Sequence, residues 1–163
     1  MKNQNITFMT QAAMIAAIYV VLTYVFAPFS FGEVQIRISE ALTVLPIFTP
    51  AAVPGLLVGC LIGNILGGAI LPDIIFGSIA TLIGAVFTYK LRGQKPWIAA
   101  LPPIISNAVI VPFVLRFGYG VALPIPLMMC TVGLGEIVYC EVLGMALYCA
   151  LKRYKNIVFK PAM

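Results

Sequence analysis

An all-α integral membrane protein is the fold class this sequence predicts: one compact six-helix transmembrane bundle over residues 1–163, with both termini cytoplasmic. Three observations carry that expectation. Hydrophobic residues make up 62% of the chain and charged residues 9%, at a mean hydropathy of +1.08, whereas a soluble domain carries about 25% charged residues. Six apolar runs alternate with short clusters of Gly, Pro and charge. The basic residues gather on alternate turnarounds. Water is a poor solvent for such a surface, and lipid is a good one.

The first run covers 7–29. It is not read as a secretory leader, because Met1–Thr10 holds a single Lys and the apolar run is long and lacks a small-residue cleavage pattern. The second covers 35–48, short of the roughly 20 residues a spanning helix needs. It is expected as a short helix walled in by its neighbours, since irregular backbone survives at membrane depth only where protein or water covers it. Pro46, Pro50 and Pro54 follow at intervals of four. Each lacks an amide donor, so an irregular bend is expected there. The remaining runs cover 51–68, 72–91, 96–117 and 123–151.

With the N-terminus placed inside, Lys2, Lys90, Arg92, Lys95, Lys152, Arg153, Lys155 and Lys160 fall on the cytoplasmic side, and Arg37 and Arg116 outside. This positive-inside bias sets the orientation. It accounts for the net charge of +5 without a nucleic acid partner. No internal repeat of useful length appears, which argues against an inverted-repeat secondary transporter. The four cysteines lie in apolar runs without a C-x-x-C pair, and the chain has no His. A Cys/His zinc site is excluded, His-based catalysis is unavailable, and no catalytic residue, metal or cofactor is expected. The cysteines read as small buried hydrophobes.

Small residues recur at spacing four. Ala12 with Ala16, and Ala13 with Ala17, overlay two such rows on the first run; Gly55, Gly59, Gly63 and Gly67 form another on the third. Smooth stripes of this kind let helices approach closely. They serve either packing inside the bundle or docking to another membrane subunit.

Polar groups inside apolar runs are costly and therefore informative, at about 2.5–3.5 kcal/mol for Asp or Arg at a helix centre. Glu33, Arg37 and Glu40 cluster in FGEVQIRISEALTVLP, at the outer mouth. Asn64 and Asp73 lie toward the same side with Ser78 just below; Asn107 and Glu136 lie near mid-membrane, and Glu141 deeper. A polar cavity open to the outside and closed below by apolar helices fits this distribution; a channel would need polar lining through both halves. Each group also has a plainer reading. Glu33, Arg37 and Glu40 have helix ion-pair spacing. Pro72-Asp73 resembles a helix start. Asn107 can bond between helices. Glu136, after Gly133-Leu134-Gly135, has no base within a helical turn, so ligand contact is favoured over pairing. Glu141 lies about 140° round the helix from it and is left unassigned. An excess of acids favours a cation, and carboxylates also accept paired bonds from a planar N–H/NH2 edge. The aromatic residues Phe29, Phe31, Tyr119 and Tyr139 near the mouth suit a ring, so the residues point to a small cationic or amidine-like heterocycle.

RISEALTVLP (37–46), PAAVPGLLVGCLIGNILGG (50–68), LPDIIFGSIATLIGA (71–85), SNA (106–108) and GLGE (133–136) together resemble the QueT family. The resemblance implies a six-helix S component of an energy-coupling factor transporter, assigned to queuosine precursors such as preQ1. It implies a small-molecule ligand of the 7-deazaguanine type, with a transmembrane coupling subunit and two ABC ATPase subunits as partners in the plasma membrane. The Ala12/Ala16 and Ala13/Ala17 spacing matches the position where such proteins dock the coupling subunit. For preQ1, Glu136 and Glu40 become the main carboxylates, one for the amine and one for the guanine-like edge. Asn107 is a candidate for the ring carbonyl and Asp73 a second candidate for the amine. Tyr139 stands beside the ligand, and Arg37 orients Glu40 or Glu33. Residues 29–34, with Gly32 as hinge, become a gating loop. The competing expectations are a solitary secondary transporter or channel for a small cationic heterocycle, a small membrane enzyme using an acid pair, and a structural scaffold.

Overall fold

The computed structural model describes residues 2–27 and 37–159, with the side chains of 2, 3 and 156–158 outside that description. Every regular element among the described residues is helical. Helix α1 spans Lys2–Val25. A 3-10 helix, Ile38–Ile47, follows, then α2, Ala52–Leu66, and α3, Leu71–Lys90. Helices α4, Pro96–Ala99, and α5, Leu101–Phe117, form one broken rod. Helix α6, Ile125–Glu136, passes through a π segment, Ile137–Leu143, into α7, Gly144–Val158. Proline stands in the first turn of α3, α4, α5 and α6, where its missing N–H costs nothing and its fixed φ suits the helix.

The six apolar runs thus become six rods, but they are unequal. Four are long and apolar enough to cross a membrane: Gln4–Val25, Leu71–Lys90, Pro96–Phe117 and Ile125–Lys155. The third run is shorter as a helix than its sequence suggested. At 15 residues, α2 reaches only about 22 Å, against a hydrocarbon core of about 30 Å. The second run is an internal element. Residues Ser39 to Pro46 are all buried, and α1, α2, α3 and α7 all pack on it. Its ten residues of 3-10 geometry are long for a form usually limited to three or four. Two local causes act here. Pro46 cannot donate to an α-type partner, and the Thr43 hydroxyl donates to the Glu40 carbonyl at 2.6 Å, three residues back.

The side-chain distribution is inverted relative to a water-soluble domain. Phe76, Ile105, Phe113, Leu134 and Val142 point outward, while Glu40, Asn64, Asp73, Thr81 and Asn107 are buried. An apolar exterior around polar interior groups is the arrangement that lipid demands.

The glycine row of α2 is occupied by α1. A Cβ on Gly55 would fall 2.7 Å from the Ala12 carbonyl oxygen, and one on Gly59 would fall 2.8 Å from the Tyr19 Cβ and 3.1 Å from the Ala16 Cα. Ala12 and Ala16 therefore serve packing inside the bundle, and Ala16 is buried there. Ala13 and Ala17 lie on the exposed face of α1. One end of the bundle collects the start of α1, the 91–95 turn and the end of α7: the Thr49 hydroxyl donates to Gln11 at 2.9 Å, and Arg92 lines a pocket with Lys152 and Lys155. The opposite end brings Arg37, Asp73 and Tyr119 together.

Gly59→Val is expected to separate α1 from α2 and cost about 3 kcal/mol or more. Gly93→Ala, where nothing stands within 4 Å of an added Cβ, should leave thermal unfolding in detergent unchanged.

Candidate functional site

Six elements bring carboxyl groups and their neighbours to the centre. The 3-10 helix turns Glu40 into the bundle at 0% exposure. There the Tyr19 hydroxyl of α1 donates to Glu40 Oε1 at 2.5 Å. Glu40 Oε2 has no hydrogen-bond partner among the described residues. Thr81 of α3 and Asn107 of α5 flank the same carboxylate without closing a bond on Oε2. Such an orphaned buried acceptor carries a desolvation cost of about 1–3 kcal/mol, more if charged.

Glu136 arrives from the opposite wall at the last residue of α6, also buried. The π segment begins at the next residue. Cys140, four residues on, shares the inner face of Glu136, and π bulges of this kind concentrate at functional sites. The Cys140 thiol lies 3.3 Å from Glu136 Oε2 and 3.7 Å from the Glu40 carbonyl. The Thr43 hydroxyl oxygen lies 3.4 Å from that sulfur. One carboxylate oxygen from each of Glu40 and Glu136, together with the Cys140 sulfur, lie within 4.8 Å of one another. Asn107 flanks Glu136 as well as Glu40, so its amide stands between the two acids. Two carboxylates at this separation repel when both are ionised, and a cation between them reverses that repulsion. The three donors are one short of the four that a closed zinc site takes.

A second cluster closes one end of the bundle. The Arg37 guanidinium nitrogen Nη2 donates to both oxygens of Asp73, at 3.1 and 2.9 Å. Both residues are buried. The Tyr119 hydroxyl, from the turn after α5, donates to Asp73 Oδ2 at 3.1 Å. Gly77 makes this possible: a Cβ there would sit 2.9 Å from Asp73 Oδ1 and 3.5 Å from Arg37 Nη1. Burial, with the neighbouring Asp73 carboxylate, pushes the Tyr119 phenol up to about 12, so it remains a donor at neutral pH. The Thr23 hydroxyl donates to Ser39 at 2.9 Å, tying the end of α1 to the same corner.

Most site residues expected from the sequence fall into these two clusters. Glu40, Glu136 and Asn107 meet at the centre. Asp73 and Arg37 meet at the end and hold each other, a pairing the sequence reading missed by seeking the Arg37 partner among near neighbours. Tyr139 is partly buried just beyond Glu136. Asn64 and Ser78 are engaged with backbone: Asn64 Nδ2 donates to the Asp73 carbonyl at 3.4 Å, and the Ser78 hydroxyl to Ile74 at 2.6 Å. Glu141 is partly buried. Glu33, Phe29, Phe31 and the whole expected gating loop at 29–34 lie outside the described residues. Tyr19, Thr81 and Cys140 escaped the sequence reading; a hydroxyl at the centre of a predicted span was the available signal for Tyr19.

The model of a family described as QueT transporter matches residues 9–153. A protein from Lactococcus lactis subsp. cremoris (strain MG1363), named queuosine precursor transporter QueT, is 32% identical over 85 residues. That alignment covers 51% of this chain and 50% of the relative, so the chain spans about half the length of the curated relative it matches. No solved structure matches.

Arg37→Met leaves Asp73 buried without its cation and is expected to cost about 3–5 kcal/mol in unfolding experiments. Adding Asp73→Leu should recover much of that loss. Tyr119→Phe should cost about 1 kcal/mol. The phenol is raised from its ordinary value of about 10 to about 12 in the folded chain. Its stabilisation is therefore full below about pH 10 and is lost as pH rises through about 12, a decline that Tyr119→Phe should lack.

Proposed function

The chain belongs to the QueT transporter family, and from that premise we propose that it is the substrate-binding S component of an energy-coupling factor transporter. Its substrate is a queuosine precursor of the 7-deazaguanine type, with preQ1 the chemical fit. The protein does not itself catalyse a reaction; ATP hydrolysis belongs to two ABC subunits joined through a transmembrane coupling subunit. It sits in the plasma membrane with several passes and both termini cytoplasmic, an orientation supported by the basic residues Lys90, Arg92, Lys95, Lys152, Arg153 and Lys155 gathering toward one end.

The observation that carries the substrate is the central pair of buried acids. PreQ1 presents a protonated aminomethyl group and a guanine-like N–H/NH2 edge. Glu40 and Glu136 can divide those two demands, each forming charge-assisted hydrogen bonds in a dry site. Asn107, between them, offers an amide N–H to the ring carbonyl. Asp73 already holds Arg37 and Tyr119, so the amine falls to Glu40 or Glu136, and Arg37 orients Asp73. The name of the Lactococcus relative supports the same substrate class. For the coupling subunit, Ala13 and Ala17 offer the free small-residue face, while Ala12 and Ala16 face α2.

Equilibrium binding of preQ1 to the purified protein, with guanine and an analogue lacking the amine as comparators, tests this reading. PreQ1 should bind far more tightly than either comparator. Glu136→Gln and Glu40→Gln should each weaken preQ1 by about thirtyfold or more, the usual loss when one partner of a buried charge pair is neutralised. Full affinity in either variant would remove that residue from the site. Uptake by vesicles holding this chain alone would contradict the S-component assignment and favour a solitary transporter.

A further inference from the structure

The end of the bundle remote from Arg37 and Asp73 carries a feature that substrate binding does not use. A pocket of about 370 Å³ is lined by Arg92, Lys152 and Lys155, with Phe48, Tyr148 and Phe159. None of the acids among the described residues lines it. Tyr148, Lys152 and Lys155 share one face of α7, at spacings of four and three. The Arg92 guanidinium lies over the Tyr89 ring, 4.2 Å from its centre. That packing holds the guanidinium plane while leaving its N–H edge for a bidentate acceptor.

An apolar groove of about 260 Å³ adjoins this pocket, walled by Met14 and Ile18 of α1, Leu42 and Leu45 of the 3-10 helix, and Leu147 and Leu151 of α7. Phe159 lines both spaces. It stacks on Phe48 with ring centres 5.4 Å apart, and Phe48 stacks on Tyr148 at 5.1 Å. Phe159 therefore borders both a cationic pocket and an apolar groove beside Leu147 and Leu151 of α7.

We propose that this composite site binds one anionic phospholipid, its phosphate headgroup among Arg92, Lys152 and Lys155 and an acyl chain in the groove beside Leu147 and Leu151. Three lines of chemistry select this occupant. Cations without a lining acid call for an anion. Their place at the end of spanning helices puts them at headgroup depth, where basic pockets between helices hold acidic lipids. The continuous apolar groove suits a molecule that is charged at one end and aliphatic at the other, which a free phosphate is not.

Native mass spectrometry of the whole protein, released from phosphatidylcholine nanodiscs doped with phosphatidylglycerol, tests the site. One phosphatidylglycerol should be retained in preference to phosphatidylcholine. Its retention should fall about tenfold or more in Arg92→Gln/Lys152→Gln, both exposed positions, with preQ1 binding unchanged. Lys155→Gln alone should give a smaller fall, which keeps the test open should the double variant express poorly. Equal retention of phosphatidylcholine would overturn the proposal, as would retention insensitive to these substitutions. Inorganic phosphate displacing the lipid at comparable affinity would assign the pocket to a free anion and overturn it too.

Discussion

Two carboxyl groups held against each other in the buried centre of an apolar bundle set the terms for everything around them. Glu40 and Glu136, with the Cys140 thiol, bring donor atoms within 4.8 Å, and Glu40 Oε2 is left without a partner among the described residues. Few arrangements tolerate this. Glu40 is kept by Tyr19 from α1, and Tyr19 is kept by Gly59, which leaves its Cβ room. The close approach of α1 and α2 through Ala12, Ala16, Gly55 and Gly59 is thus part of the site. The irregular geometry has the same origin. A 3-10 helix delivers Glu40, and a π segment begins directly after Glu136. Non-standard turns are stored where function needs side chains that a regular helix would aim elsewhere.

The bundle keeps two further jobs apart from that centre. At one end, Arg37, Asp73 and Tyr119 fasten the start of the 3-10 helix to α3 and to the turn after α5. A buried ion pair contributes little net stability, but removing one partner costs much, so this contact acts as a constraint on position. It fixes the backbone three residues before Glu40. At the other end, Arg92, Lys152 and Lys155 line a pocket of their own. The paired acids, the ion pair and the cations are therefore separated along the bundle.

Much of this was legible in the sequence, for reasons tied to cost. An acid in an apolar run is expensive, so Glu40 and Glu136 stood out, and Asn107 with them. The apolar runs located the helices, and Pro72 marked the start of α3. What was not legible follows from cheapness and distance. Tyr19, Thr81 and Cys140 cost little in an apolar run and read as packing. Arg37 had two acids at helical spacing, and its Asp73 partner 36 positions away could be seen only after folding. The alanine spacing left two uses open, and the structure divides them: Ala12 and Ala16 to the interior, Ala13 and Ala17 to the exposed face. The length of α2 was overread because Gly67 and Gly68 are apolar by composition yet lie beyond the helix end.

If the paired acids are kept for a cationic ligand, they are a burden on the empty protein. Thermal unfolding of Glu136→Gln, with and without preQ1, measures this most directly. The account predicts that the ligand-free variant melts at or above the wild type, because a repulsion is removed, and that preQ1 no longer raises its melting temperature. A ligand-free variant that melts several degrees lower while keeping the full preQ1 shift would mean that Glu136 is a structural partner, and would contradict the account.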